Sequence, residues 1–197
     1  MMYGLPASSE MRKQLSKEAI IKRFEVSGRE RERFDKSVHK IVITHNLCPS
    51  TINIPIGKQI QAIYVIEIYL REPGFDRIAI AILERMNQSA IYILKSEGKC
   101  KVVMFEKKLF ESDWVEEEDL QLVASGLDLD EVWESFLRNV SGLNDNAPLQ
   151  DLIDKEVSND KIKRQIETLR NKMAKEKQVH KRREYFDMII ELEAQLK

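Results

Sequence analysis

The stretch IQAIYVIEIYL, Ile60 to Leu70, limits what this chain can fold into more than any other. Ile60, Ala62, Tyr64, Ile66, Ile68 and Leu70 alternate onto one face, while Ile63 and Val65 make the other face apolar as well. A strand apolar on both faces needs cover on both, which places it in the middle of a sheet. Glu67 interrupts the run, which is also too short to span a bilayer.

The flanking sequence supplies the rest of a small α+β fold. SKEAIIKRF carries Ile20, Ile21 and Phe24 at helical spacing, and Ser27 with Glu30 makes a capping box for a second short helix, so two small helices precede the sheet. VHKIVITH alternates as a strand. FDRIAIAILERM has the helical period at Ile78, Ile82 and Met86, and AIYILKSEGKCKVVMF reads as a β-hairpin about Glu97-Gly98. DLQLVAS is expected to be a further edge strand, and Trp114 is expected in the core. Asp128 and Glu131 cap a helix through Val132, Trp133, Phe136, Leu137 and Val140. The glycine, asparagines and proline of SGLNDNAPLQDL mark a linker. The expectation is a core domain over 1–142 with a small mixed or antiparallel sheet and flanking helices, a linker over 143–157, and a helical unit over 158–197.

In that tail Ile162, Ile166, Leu169 and Met173 step by 4, 3 and 4, and Tyr185, Ile189, Leu192 and Leu196 repeat the pattern. One heptad register cannot contain both stripes, since Met173 and Tyr185 lie 12 residues apart. The stripes mirror each other about Val179, so they meet face to face if the chain folds back there as a coiled-coil-like antiparallel hairpin. Two straight helices in an antiparallel homodimer give the same pairing, but they set Glu176, His180 and Arg183 in the centre of the seam, which favours the hairpin. Its tip then gathers Lys175, Lys177, His180, Lys181, Arg182 and Arg183.

The formal net charge of −1 conceals a segregation. Glu111 to Glu134 holds ten acidic residues and no lysine or arginine, whereas Lys161 to Arg183 holds ten basic residues against Glu167 and Glu176. The basic pole suits a nucleic-acid backbone, an acidic protein surface, or the acidic stretch of the same chain or of a twin; a solvated tip is the plain alternative.

Little else points to chemistry. Cys48 and Cys100 lack metal-ligand or disulfide-framework spacing, and His39, His45 and His180 are scattered. No glycine-rich phosphate loop occurs. A Mg²⁺-dependent nuclease of the PD-(D/E)xK kind would need Asp76 with Glu106 and Lys108 of FEKK, although Asp76 reads as the start of a helix. Cys48 beside His45 lacks a group to orient it as a nucleophile. LCPSTINIPIG, stiffened by Pro49 and Pro55, reads as structural. No cofactor is expected. The N-terminus lacks the apolar run of a signal peptide, so the expected location is cytoplasmic.

YGLP with KQLSK, PSTINI, SDW followed by acids, GLDLDEVWE, and a Lys/Glu-rich tail with EKQ stand in this order along nearly the whole chain. In this the sequence resembles a bacterial and archaeal family described only as a domain of unknown function. The resemblance implies a small α+β domain with a helical tail, encoded beside helicases and DNA methyltransferases in restriction-like, antiviral defence clusters, and it carries no catalytic residue. The expected function is a non-catalytic accessory or interaction subunit that docks a larger helicase or methyltransferase-like partner, touches DNA through the basic tip, and is free of membrane.

Overall fold

The computed structural model describes residues 2–26, 28–72, 77–86, 88–143 and 147–196. Two compact units divide at residues 144/145. The first is an α+β domain: β1 (Glu10–Leu15), α1 (Lys17–Arg23), α2 (Gly28–Ser37), β2 (Val38–Leu47), α3 (Pro49–Ile52), β3 (Ile63–Leu70), α4 (Ile78–Leu83), β4 (Ala90–Ser96), β5 (Lys99–Glu106), β6 (Lys108–Glu111), β7 (Val115–Glu116) and α5 (Leu129–Ser141). The second contains α6 (Leu149–Lys175) and α7 (Val179–Ala194). Ser27, Asp76 and the segment 144–146 lie outside the described residues, so the expected Ser27 cap and the role expected of Asp76 do too.

Among the described residues the seven strands form one sheet in the order β1-β2-β3-β4-β5-β6, with β7 also on β5. Neighbours are antiparallel except β3 and β4, which run parallel because the connection between them carries α4. β3 is interior, and Ile63, Val65, Ile66 and Ile68 are all buried, as an apolar strand with two covered faces requires. One face packs Ile66, Ile68, Tyr92 and Val103 against Ile20 and Ile21 of α1, Phe34 of α2, and Ile78 and Ile82 of α4. On the other, α5 covers β5 and β6 with Val132, Phe136 and Val140 inward. Each such fully buried side chain stabilises the fold by roughly 1.5–3 kcal/mol relative to exposure.

Several local elements follow their sequence signals. Ser16 Oγ accepts from the Ala19 N–H at 3.3 Å to begin α1, and Asp128 accepts from the Glu131 N–H at 3.0 Å to begin α5. Glu97 and Gly98 both take positive φ, 51° and 81°, which gives the β4–β5 connection the twist of a two-residue hairpin. Three expectations are corrected. A polar strand, β1, precedes the two helices; its edge position leaves most of EMRKQL exposed, so it lacks an apolar rhythm. DLQLVAS is not a strand: Leu120 and Leu122 are buried while Val123 is exposed. Trp114 is 38% exposed rather than in the core, with Lys101 Nζ 5.9 Å from its ring centroid.

The PSTINI loop serves the fold. Thr51 Oγ1 donates to the Asn46 carbonyl at 2.8 Å and accepts from the Cys48 N–H at 2.9 Å, and the Leu129 N–H reaches the Pro55 carbonyl at 3.1 Å. The Asp130 carboxylate then collects the N–H groups of Lys58, Gln59 and Ile60 at 2.7, 3.2 and 2.8 Å. Gly57 has no room for a side chain, because a Cβ there would lie 2.7 Å from the Asp130 backbone nitrogen.

The second unit is an antiparallel hairpin in which α6 and α7 pack on each other. α6 starts at Leu149, inside the stretch 143–157 read from sequence as linker. Ile166 and Ile189 are buried in the seam, and Ile162, Leu169, Met173, Tyr185, Leu192 and Leu196 are half-buried. The reversal occupies 176–178, just before Val179. It needs no glycine, because the Glu176 carboxylate accepts from the N–H groups of Lys177 and Gln178 at 2.8 and 2.9 Å.

Asp130→Ala should cost about 1–3 kcal/mol, as expected for charge-assisted hydrogen bonds, and Gly57→Ala about 1–3 kcal/mol through overpacking. Urea unfolding of both variants checks this; wild-type midpoints in both would refute the clamp.

Candidate functional site

Five lysines and arginines, with His180, surround the bend. Lys175 ends α6, Lys177 lies in the reversal, and His180, Lys181, Arg182 and Arg183 fall within the first five residues of α7; all six are exposed. His180 Nδ1 lies 3.4 Å from Glu184 Oε1 one turn on. The first turn of α7 contains no acidic residue. The macrodipole already places partial positive charge and unpaired N–H groups there, so added cations oppose the helix by some tenths of a kcal/mol each, and an anion relieves them. Lys172 and Lys175 at the end of α6 instead complement its negative pole. Chemically the bend can bind an anionic surface.

Of the residues considered for nuclease chemistry, Glu106 and Lys108 have partners inside the first unit. Glu106 Oε2 accepts from Trp133 Nε1 at 3.1 Å, tying β5 to α5. Lys108 faces Glu106 across the β5–β6 ladder, with its Nζ 5.3 Å from the Phe110 ring centroid. Among the described residues no group of three or more His, Cys, Asp or Glu is arranged to hold a metal ion. His45 and Cys48 do not pair: the imidazole Nδ1 lies 3.3 Å from Thr44 Oγ1, while Cys48 Sγ lies 3.1 Å from Ser50 Oγ. The hydroxyls of Ser50 and Thr51 pull the Cys48 thiol below its ordinary pKa.

Sequence reasoning missed the most concentrated chemistry in the core. Glu67 of β3 and Lys95 of β4 are 3% and 9% exposed, and their parallel register puts them on one sheet face with Nζ 3.5 Å from Oε1. Glu67 also accepts from the hydroxyls of Tyr3 and of Tyr69, the latter at 2.6 Å. Lys95 bonds Glu117 as well, and its Nζ lies 5.2 Å from the Tyr69 ring centroid. Burial first, then the bond to Glu67, pushes both phenols well above their ordinary pKa, so they stay protonated donors. The signal was present in the strand itself: a carboxylate amid IYVI and IYL demands a buried cation, and Lys95 closes the matching apolar run AIYIL.

Both oxygens of Glu67 are taken, so the cluster acts as a fastener for Tyr3. The Leu122 N–H to Tyr3 carbonyl bond, 2.7 Å, ties the same segment to the acidic stretch. Beside it Tyr3, Gly98, Glu116, Glu117, Glu118, Leu120 and Gln121 line an open pocket of about 480 Å³.

His45 is fully buried, and its Nε2 has no hydrogen-bond partner. Burial lowers its pKa from the ordinary 6.5 despite the opposing carboxylates of Glu10 and Glu67. Below pH 6.5 the unfolded chain therefore takes up a proton that the native state refuses, and stability falls as pH drops toward the folded pKa. Urea unfolding should show that slope between about pH 7 and pH 5 in the wild type and a shallower one in His45→Gln; equal slopes refute it. Lys95→Met, which strands the Glu67 charge, should destabilise by about 3–5 kcal/mol in the same assay.

Comparison with curated proteins and with solved structures gave no match. One family model, Domain of unknown function (DUF4391), matches residues 3–196, from the buried Tyr3 to the end of the hairpin. The chain belongs to that family of unknown function.

Proposed function

We propose that this chain is a non-catalytic accessory subunit of a nucleic-acid-processing complex of the restriction or anti-phage defence kind. It docks a larger helicase- or methyltransferase-like enzyme and meets DNA phosphate through the cationic bend of its C-terminal hairpin. The observation that carries the reading is the set of five exposed lysines and arginines at one helix reversal, three of them within the first five residues of α7. Phosphate satisfies this electrostatic demand, and each phosphate neutralised releases condensed counterions, so binding is strong at low salt and tolerant of sequence. No aromatic stands among these cations to stack a base, which favours the duplex backbone over a single strand. The docking role rests on the resemblance set out above, which implies genes beside helicases and methyltransferases. In the core, Glu67, Lys95 and Glu106 spend their charges on structure.

Filter binding of duplex DNA should give an affinity that falls with salt. Lys175→Glu, Lys177→Glu and Lys181→Glu together should weaken it at every sequence and flatten the log–log salt slope by about 1 for each phosphate no longer neutralised. A binding curve unchanged by the triple reversal refutes the DNA contact. DNA should stay intact with Mg²⁺; cutting that disappears in Glu106→Ala would refute the non-catalytic reading.

A further inference from the structure

α7 carries more apolar surface than its seam with α6 uses. Tyr185, Ile189, Leu192 and Leu196 face α6, yet Val179, Phe186 and Ile190 are 81%, 52% and 49% exposed. These three recur at intervals of seven and four residues, so they form one stripe on a side of α7 adjacent to the seam. A hairpin with two buried seam residues, Ile166 and Ile189, and an open apolar flank is an incomplete layer, and a further helix pair completes it.

The charge pattern selects the occupant. Along α7 the first half carries Lys181, Arg182 and Arg183, with Glu184 beside His180, and the second half carries Asp187, Glu191 and Glu193 and no lysine or arginine. A second α7 running antiparallel lays each cationic half on an anionic half; a parallel one sets like charge on like. The helix thus complements itself under a two-fold axis, which is the symmetry of an isologous dimer. We infer that a second copy of this chain covers the stripe, with α7 packed antiparallel on α7 so that the two hairpins form a four-helix bundle.

The register follows from the same residues. Setting Phe186 on Ile190 of the second copy, and Ile190 on its Phe186, places the axis level with Met188 and brings Arg183 level with Glu193 of the second copy. α7 spans about 24 Å at 1.5 Å per residue. Lys175 and Lys177 then lie beyond the end of the opposing helix, so the dimer presents two bends at opposite ends of the bundle. The dimer stands whether or not those bends meet DNA.

Light scattering on the full chain at micromolar concentration should give twice the 23.0 kDa mass. Phe186→Glu with Ile190→Glu should give the single-chain mass at unchanged far-UV circular dichroism, whereas Lys175→Glu with Lys177→Glu should leave the dimer intact. In a Cys48→Ser background, chains carrying Phe186→Cys mixed with chains carrying Ile190→Cys should crosslink to each other on mild oxidation. A single-chain mass for the wild type overturns the inference. A dimer that survives Phe186→Glu with Ile190→Glu, or crosslinking of Phe186→Cys to itself in preference to the mixed pair, also overturns it. The crosslinking arm decides the matter if the glutamate variant unfolds.

Discussion

A carboxylate buried in the middle of a sheet must be answered by its surroundings, and the answer to Glu67 organises one whole face of the core. Left alone, an ionised Glu67 would be untenable at 3% exposure. Lys95 supplies the countercharge from the parallel neighbour strand, and Tyr3 and Tyr69 fill the remaining lone pairs. Tyr3 precedes β1 and Glu117 follows β7, so satisfying one charge ties two segments distant in sequence to the same point of the sheet. The left-handed backbone at Tyr3, φ 56°, is a cost carried by those bonds. Replacing such a pair by apolar residues is often neutral in other folds, so its role here is placement more than net stability.

That placement explains why the core reads as scaffold. Glu67 has no free oxygen, Lys95 is shared between two carboxylates, and Glu106 holds an indole N–H. A general acid or base needs an atom that faces a reactant. Glu67 and Lys95 face one another, and Glu106 faces the Trp133 indole.

What the sequence disclosed and what it concealed divide along one physical line. Features set by neighbours a few residues apart were readable: the two-sided burial of β3, the Glu97-Gly98 turn, the Asp128 cap, and stripes whose mirror pointed to the hairpin. The exposure of Lys175 to Arg183 follows from charge without apolar rhythm. Features set by long-range register were not: the Tyr3–Glu67 and Glu67–Lys95 bonds span 64 and 28 residues. β1 was hidden because an edge strand gains its hydrogen bonds from β2 without needing an alternating side-chain pattern. Trp114 misled because a large apolar side chain is usually covered, and here Lys101 and solvent share its ring.

The hairpin then poses an electrostatic problem of its own. Its bend is closed by a carboxylate rather than a glycine, and the two N–H groups held by Glu176 keep that carboxyl below its ordinary pKa. One anion at the reversal stands against five lysines and arginines around it, while the helix end adds more positive potential. Self-association can neutralise the cations on the flank of α7, at Arg182 and Arg183, because acidic residues follow on the same helix. In the proposed register it leaves Lys175 and Lys177, which project past the end of the opposing helix. The same segment therefore separates two demands: the flank asks for a copy of itself, and the tip asks for an anion from elsewhere.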